Sequence, residues 1–284
     1  MFKFDKKNEF KKSPAIPKGA LFADGGSSGI IENNENLEIV KIPKIIDGSF
    51  SDKPGEAGFI SYTTNPNFLA VPELYKEISE LTTDLEMAGR QKVVAILKPK
   101  KEKVFFGVSS PAYTRFPTVN RTYNQASITF ADSNNPSAGN IFSNSKMFGE
   151  YTKAEFENNQ KKIRAGENVS SEIEVKKPVE IPEKLLLIVE EYLKNGKKLF
   201  IENNEKVKLE GNEILDYLPV KTLLCLYDKL TPELKKEYSL YIGSFTDKSS
   251  KSNISFILEP LTEQEKDSHQ RQGYSVLKWN DLVY

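Results

Sequence analysis

Pro182-Glu183-Lys184-Leu185-Leu186-Leu187-Ile188-Val189 and, after Gly196, Lys198-Leu199-Phe200-Ile201 are the stretches that decide the fold class of this chain. A proline at a first helical position, an apolar run and a glycine stop predict a helix. Residues 185–189 are apolar on every side, which predicts a helix buried all round. After Gly196 the pattern shortens to a strand over 198–201, and Asn203-Asn204 predicts a turn into a second strand over 206–209, making a hairpin. Helix and strand therefore follow each other within one short segment. Across the whole chain such elements come in clusters rather than in strict alternation, which predicts an α+β fold.

Working outward, the C-terminal side is the more helical. Asn212 caps a short helix to Leu218, and Pro219 begins another that carries Leu223, Leu224, Leu226 and Leu230. Thr231-Pro232-Glu233 opens a third. Residues 238–245 and 252–259 read as a last strand pair. The N-terminal side is β-rich and mainly antiparallel, with runs at 19–23, 38–42, 58–62, 91–98, 103–108 and 120–130 broken by Gly-, Asn- and Pro-rich turns. Two helices interrupt it: one from Pro72 to Gly89, and one opened by the capping-box pair Thr152 and Glu155 and running to about Ile163. Residues 132–139 read as a loop. The resulting organisation is a loosely ordered segment over 1–18, a β-rich subdomain over 19–164, a polar connector over 165–177 and a helical/β subdomain over 178–284. The two subdomains are compatible with one compact domain. No internal repeat is present.

Composition narrows the chemistry. Lys+Arg and Asp+Glu number 40 each in 284 residues, so the formal net charge is zero. A general nucleic-acid coat or a polybasic membrane protein carries a surplus of positive charge, and this chain does not. The basic runs, such as Lys98-Pro99-Lys100-Lys101-Glu102-Lys103, have acids nearby and read as solvated faces. No apolar stretch is long enough to span a bilayer, and the first residues lack the apolar core of a secretory signal. The expected setting is the cytoplasm, where a lone Cys225 among leucines is a structural thiol and the sequons at Asn120, Asn168 and Asn253 are idle.

One histidine (His269) and one cysteine (Cys225) leave little for zinc, disulfide or cysteine–histidine chemistry. No metal and no cofactor is expected. Gly25-Gly26-Ser27-Ser28-Gly29 matches the nucleophile-elbow letters of α/β-hydrolases, with Ser27 in the serine position. The β-branched, asparagine-rich residues that follow are wrong for the required helix, and His269 lies in a polar stretch that reads as exposed, so a turn is the preferred reading. Glu202 and Glu205 with Lys206 and Lys208 could serve a metal-dependent nuclease, but they read as surface charges of a hairpin. Glu190-Glu191, adjacent on a helix, point in different directions. Lys229 stands one turn from Cys225 and could lower its pKa, while the flanking leucines favour an inert core thiol. Phe105, Phe106, Tyr113, Phe116, Tyr123 and Phe130, interleaved with Arg115 and Arg121, could stack on nucleic acid. Their alternation along strands favours core packing.

Two stretches together resemble a known family. One is Tyr113–Phe148, which contains Thr129-Phe130-Ala131-Asp132 and then Gly139-Asn140-Ile141-Phe142-Ser143. The other runs from Leu215 through Leu230-Thr231-Pro232-Glu233-Leu234-Lys235-Lys236 and Ser239-Leu240-Tyr241 to Ser255-Phe256-Ile257-Leu258-Glu259-Pro260. With Ala20-Leu21-Phe22 as an opening strand, this order resembles the N-terminal region of the GTPase-associated proteins of bacterial NTP-dependent conflict, or anti-phage, systems. The resemblance covers about residues 15–260. This chain departs from the pattern where Asn144 replaces a histidine and where Lys235 and Lys236 replace paired arginines. The resemblance implies an accessory component encoded beside a GTPase or another NTPase, and it implies no catalytic residues.

The expectation is therefore a non-enzymatic adaptor or sensor acting through protein contacts. A nucleic-acid-binding module and a hydrolase or nuclease effector are the alternatives. Arg115, Arg121 and Asp132 are the candidate binding residues around the central turn, since arginine is enriched at interfaces and an Arg–Asp pair could hold the turn. Lys235 and Lys236 join them at the helix start that matches the family pattern.

Overall fold

The computed structural model describes residues 30–33, 37–49, 59–61, 93–112, 123–144, 170–209, 213–244 and 252–284, together with positions 158, 161 and 165. The fold is α+β, as expected. Residues 1–18, the run at 19–23, Ser27 and its glycines, the helix expected over 72–89, and both Arg115 and Arg121 lie outside the described residues.

The N-terminal strands are β1 (Ile30–Asn33), β2 (Leu37–Ser49), β3 (Phe59–Ser61), β4 (Val94–Lys100), β5 (Lys103–Ala112), β6 (Tyr123–Asp132) and β7 (Ser170–Val175). All pairings among them are antiparallel. The segment 165–177, read as a connector, carries β7, which pairs with β2 from Glu38↔Val175 to Pro43↔Ser170. Its charged composition hid the strand because only Ile173 and Val175 are apolar in Ser170-Ser171-Glu172-Ile173-Glu174-Val175, too short an alternation to read as one.

The C-terminal strands β8 (Leu199–Glu202), β9 (Leu240–Gly243), β10 (Ile254–Ile257) and β11 (Ser275–Lys278) are parallel to one another in the order β9-β10-β8-β11. Strand β4 pairs antiparallel with β9, which joins the two halves through one sheet. The expected hairpin over 198–209 does not form. Strand β8 instead lies between β10 and β11, and residues 206–209 are not in a strand. Parallel neighbours need crossovers rather than tight turns. Asn203 accordingly bonds elsewhere: its backbone N–H donates to Ile257 O, and its Oδ1 accepts from Tyr217 Oη. The last strand pair is observed as adjacent β9 and β10.

Strands β8, β9 and β10 are buried along their whole length, as in a sheet covered on both faces. Alternation divides the strand side chains between two cores. Ala95 and Leu97 of β4, Phe106 of β5, Leu199 and Ile201 of β8 and Ile242 of β9 belong to the larger core. Their neighbours Val94, Ile96, Phe105, Phe200 and Tyr241 belong to the smaller one. Phe105 and Phe106 thus point to opposite faces. Phe105 meets Phe130 (centroids 5.8 Å apart), and Phe106 stacks on Phe142 at 5.4 Å. Phe105, Phe106 and Phe130 pack in cores, as their alternation favours.

The larger core is closed by helices α1 (Ala138–Phe142), α2 (Glu183–Lys194), α3 (Glu213–Asp216), α4 (Leu218–Lys229) and α5 (Pro232–Glu237). Helix α2 is not buried all round: Leu185, Val189 and Leu193 face the core, while Leu187 is 58% exposed. Spacing of three and four residues, rather than the continuous apolar run, decides which side is covered. Helix α6 (Glu263–Arg271) is held by a capping box, Thr262 with Glu265, and α7 (Trp279–Val283) ends the chain. No helix among the described residues is long and apolar enough to cross a membrane.

Candidate functional site

Among the described residues, a concave site lies where α1 meets α4. The sequence makes this contact possible at Gly139. A Cβ at that position would fall inside the carbonyl of Leu224, so only glycine lets the two backbones approach this closely. Asp228, near the C-terminal end of α4, then reaches across. Its Oδ1 accepts from Gly139 N–H (2.7 Å) and its Oδ2 from Asn140 N–H (2.9 Å). These are donors of the first turn of α1, which lack partners inside the helix. An aspartate at a helix C-terminus opposes the dipole of its own helix. Here that unfavourable placement is offset by the amide groups of a second helix.

The Asn140 side chain ties this pair to the extended segment after β7, donating from Nδ2 to Lys176 O (2.9 Å). Between the three elements lies a cleft of about 320 Å³, with Val175, Val179 and Cys225 as its apolar lining and Lys176, Lys177 and Lys229 among its polar lining. Asp228 also lines it. The three lysines are exposed, and none is in an ion pair with another described residue.

The ionisable groups of the cleft are shaped by burial. The Cys225 thiol is raised above its ordinary 9.0, chiefly by burial, with Asp228 adding to the effect; Ser143, the Val179 backbone and Lys221 pull the other way and lose. The lowering by Lys229 that the sequence suggested is not the effect that wins. Burial likewise raises Asp228 from 3.8 to about 6, against the two backbone N–H groups and the positive charges of Lys235 and Lys229. The folded protein therefore holds this proton more tightly than the unfolded chain. The associated stability is full below pH 3.8 and is lost as pH rises through about 6, and it amounts to about 3 kcal/mol. Asp228→Asn should remove this slope. In urea unfolding at stepped pH, the stability difference between wild type and variant should change by about that amount between pH 4 and 7. Parallel curves would show that Asp228 titrates alike in both states.

The residues expected from sequence fall elsewhere. Asp132 is half-exposed at the end of β6 and pairs with Lys103 of β5, directly opposite it in the ladder. Lys236 is exposed. Lys235 is buried, with its Nζ 5.1 Å from the centroid of the Tyr227 ring, a cation–π contact. Asn144, where the sequence departs from the pattern it resembles, is buried just beyond α1. His269 is not exposed: it is 4% accessible, with its ring 4.7 Å from Phe200 and 6.0 Å from Tyr274. It sits on the one face of the polar helix α6 that meets the sheet.

Glu202 is a further correction, since it is buried rather than on the surface. At the C-terminal end of β8, its Oε2 accepts from Leu261 N–H (2.8 Å), and its Oε1 pairs with Lys266 of α6 (3.0 Å). The Glu202 side chain raises the Lys266 pKa, with Glu263 adding to it. Glu205, Lys206 and Lys208 are exposed as expected. Among the described residues, no three His, Cys, Asp or Glu side chains are grouped to hold a metal ion. Asp228 was missed in the sequence because its partners are backbone amides 88 and 89 residues away, which no side-chain motif encodes. The available signals were a carboxylate at the wrong end of a helix and a glycine opening an apolar one.

No protein-family model matches this chain, and no match to it was found among the curated proteins or the solved structures.

Proposed function

We propose that this chain is a non-enzymatic recognition component, an adaptor or sensor that works through protein contacts. The observation that carries the reading is the state of the two reactive-looking groups in the cleft. A catalytic thiol needs a base or a positive charge that favours the thiolate. Cys225 has burial and a neighbouring carboxylate, which both disfavour it. Asp228 has a pKa suited to proton transfer, yet each of its oxygens is engaged by a backbone N–H and holds two helices together. The cleft therefore offers shape and charge without an activated nucleophile.

The family resemblance extends the proposal to a setting: a bacterial NTP-dependent conflict system in the cytoplasm, with a GTPase or other NTPase encoded nearby as the first partner to test. Tagged chain co-expressed with the products of adjacent genes should retain one of them through size-exclusion chromatography. A fluorophosphonate probe should leave Ser27 unlabelled, and added Mg²⁺ or Mn²⁺ should give no nuclease activity. Labelling lost in Ser27→Ala, or failure to retain any neighbouring product, would overturn the reading.

A further inference from the structure

The cleft carries information about what it recognises. Its mouth holds three lysines without ion pairs to described residues, although the chain as a whole is neutral. Against Asp228, the one carboxylate among the described lining residues, the three lysines leave the lining net positive. Its apolar lining is small, from Val175, Val179 and Cys225, and Pro136 and Pro178 stiffen two walls. About 320 Å³ suits a few side chains of an extended segment, at the small end of ligand sites.

Resting on the adaptor reading, we infer that this cleft docks an acidic, extended segment of the partner protein. The carboxylates of that segment meet Lys176, Lys177 and Lys229, and a small apolar side chain enters between Val175 and Val179. Charge complementarity favours this occupant. No aromatic side chain is among the described residues that line the cleft, so these offer nucleobases no surface to stack on. Asp228 beside the lysines also repels a dense phosphate charge, whereas a peptide can pass a neutral side chain over it.

Fluorescence anisotropy with the full chain tests the inference. The probes are a labelled Glu/Asp-rich peptide containing one valine, its Gln/Asn counterpart, and a single-stranded oligonucleotide of equal length. The acidic peptide should bind, weaken with salt, and exceed both other probes. Lys176→Glu/Lys177→Glu should weaken it about tenfold, since each reversal replaces an attraction with a repulsion. Lys197→Glu/Lys278→Glu changes the net charge equally at exposed positions away from the cleft and should leave binding within about twofold of wild type. Equal loss in both variants, or preference for the oligonucleotide, overturns the inference. If Lys176→Glu/Lys177→Glu still retains the partner as wild type does, the docking inference fails while the adaptor reading stands. If the wild type retains no partner, the adaptor reading fails.

Discussion

Glu202→Ala is expected to destabilise the fold by about 3 kcal/mol, because it removes one partner from a buried, hydrogen-bonded pair. Two groups lose their acceptor at once. Leu261 N–H is left without the carboxylate, and Lys266 keeps only the exposed Glu263. The Lys266 side chain is 19% exposed and can turn towards water, which sets the cost at the lower end for a broken buried pair. Glu202→Gln keeps an oxygen for Leu261 N–H and should cost about 1 kcal/mol. Urea unfolding reads both, with an unchanged slope and a shifted midpoint. Because the pair is buried, the loss should persist in high salt, unlike that of a surface ion pair. A cost below about 0.5 kcal/mol for Glu202→Ala would mean that α6 is not held to the strand ends through this carboxylate.

Gly139→Ala should be at least as damaging, at about 3 kcal/mol or more. In an exposed helix the same change is worth close to 1 kcal/mol of stabilisation, so even the sign is diagnostic. Here the added methyl group meets the backbone of Leu224, which no rotamer change can relieve. Overpacking against yielding side chains costs about 1–3 kcal/mol, and a backbone clash sits at the top of that range. Moving α1 away would also lengthen the two N–H bonds to Asp228, each a charge-assisted bond of about 1.5–3 kcal/mol, although these losses do not add. A second readout follows. With the clamp open, Asp228 is rehydrated, and the pH dependence that separates wild type from Asp228→Asn should shrink in the Gly139→Ala background. A stable Gly139→Ala protein with an unaltered pH profile would contradict the observed closeness of α1 and α4.

Much of the architecture was legible because it rests on local chemistry. Pro182 and Gly196 bracket a helix observed as Glu183–Lys194, and the Thr231-Pro232-Glu233 start is observed with the Thr231 side chain accepting from Leu234 N–H. The unbroken apolar run Val93-Val94-Ala95-Ile96-Leu97 marks a buried strand, and successive side chains divide between two cores. Strand pairing was less legible. Asn203-Asn204 carries a hairpin signal, but the turn competes with the burial of β8 between two parallel neighbours, and burial wins. For β7, a charged sequence hid a strand whose partner lies more than 120 residues earlier.

By itself, the sequence determined the α+β class, most of the described helix starts and the scarcity of His and Cys chemistry, since these depend on residue type and short-range periodicity. Only the tertiary structure decided the parallel order β9-β10-β8-β11, the burial of Glu202 and His269, and the cleft closed by Asp228. Each of these depends on contacts between distant segments. A carboxylate bonded to backbone amides leaves no residue-type signature in the sequence, because the amides it binds are common to nearly every residue.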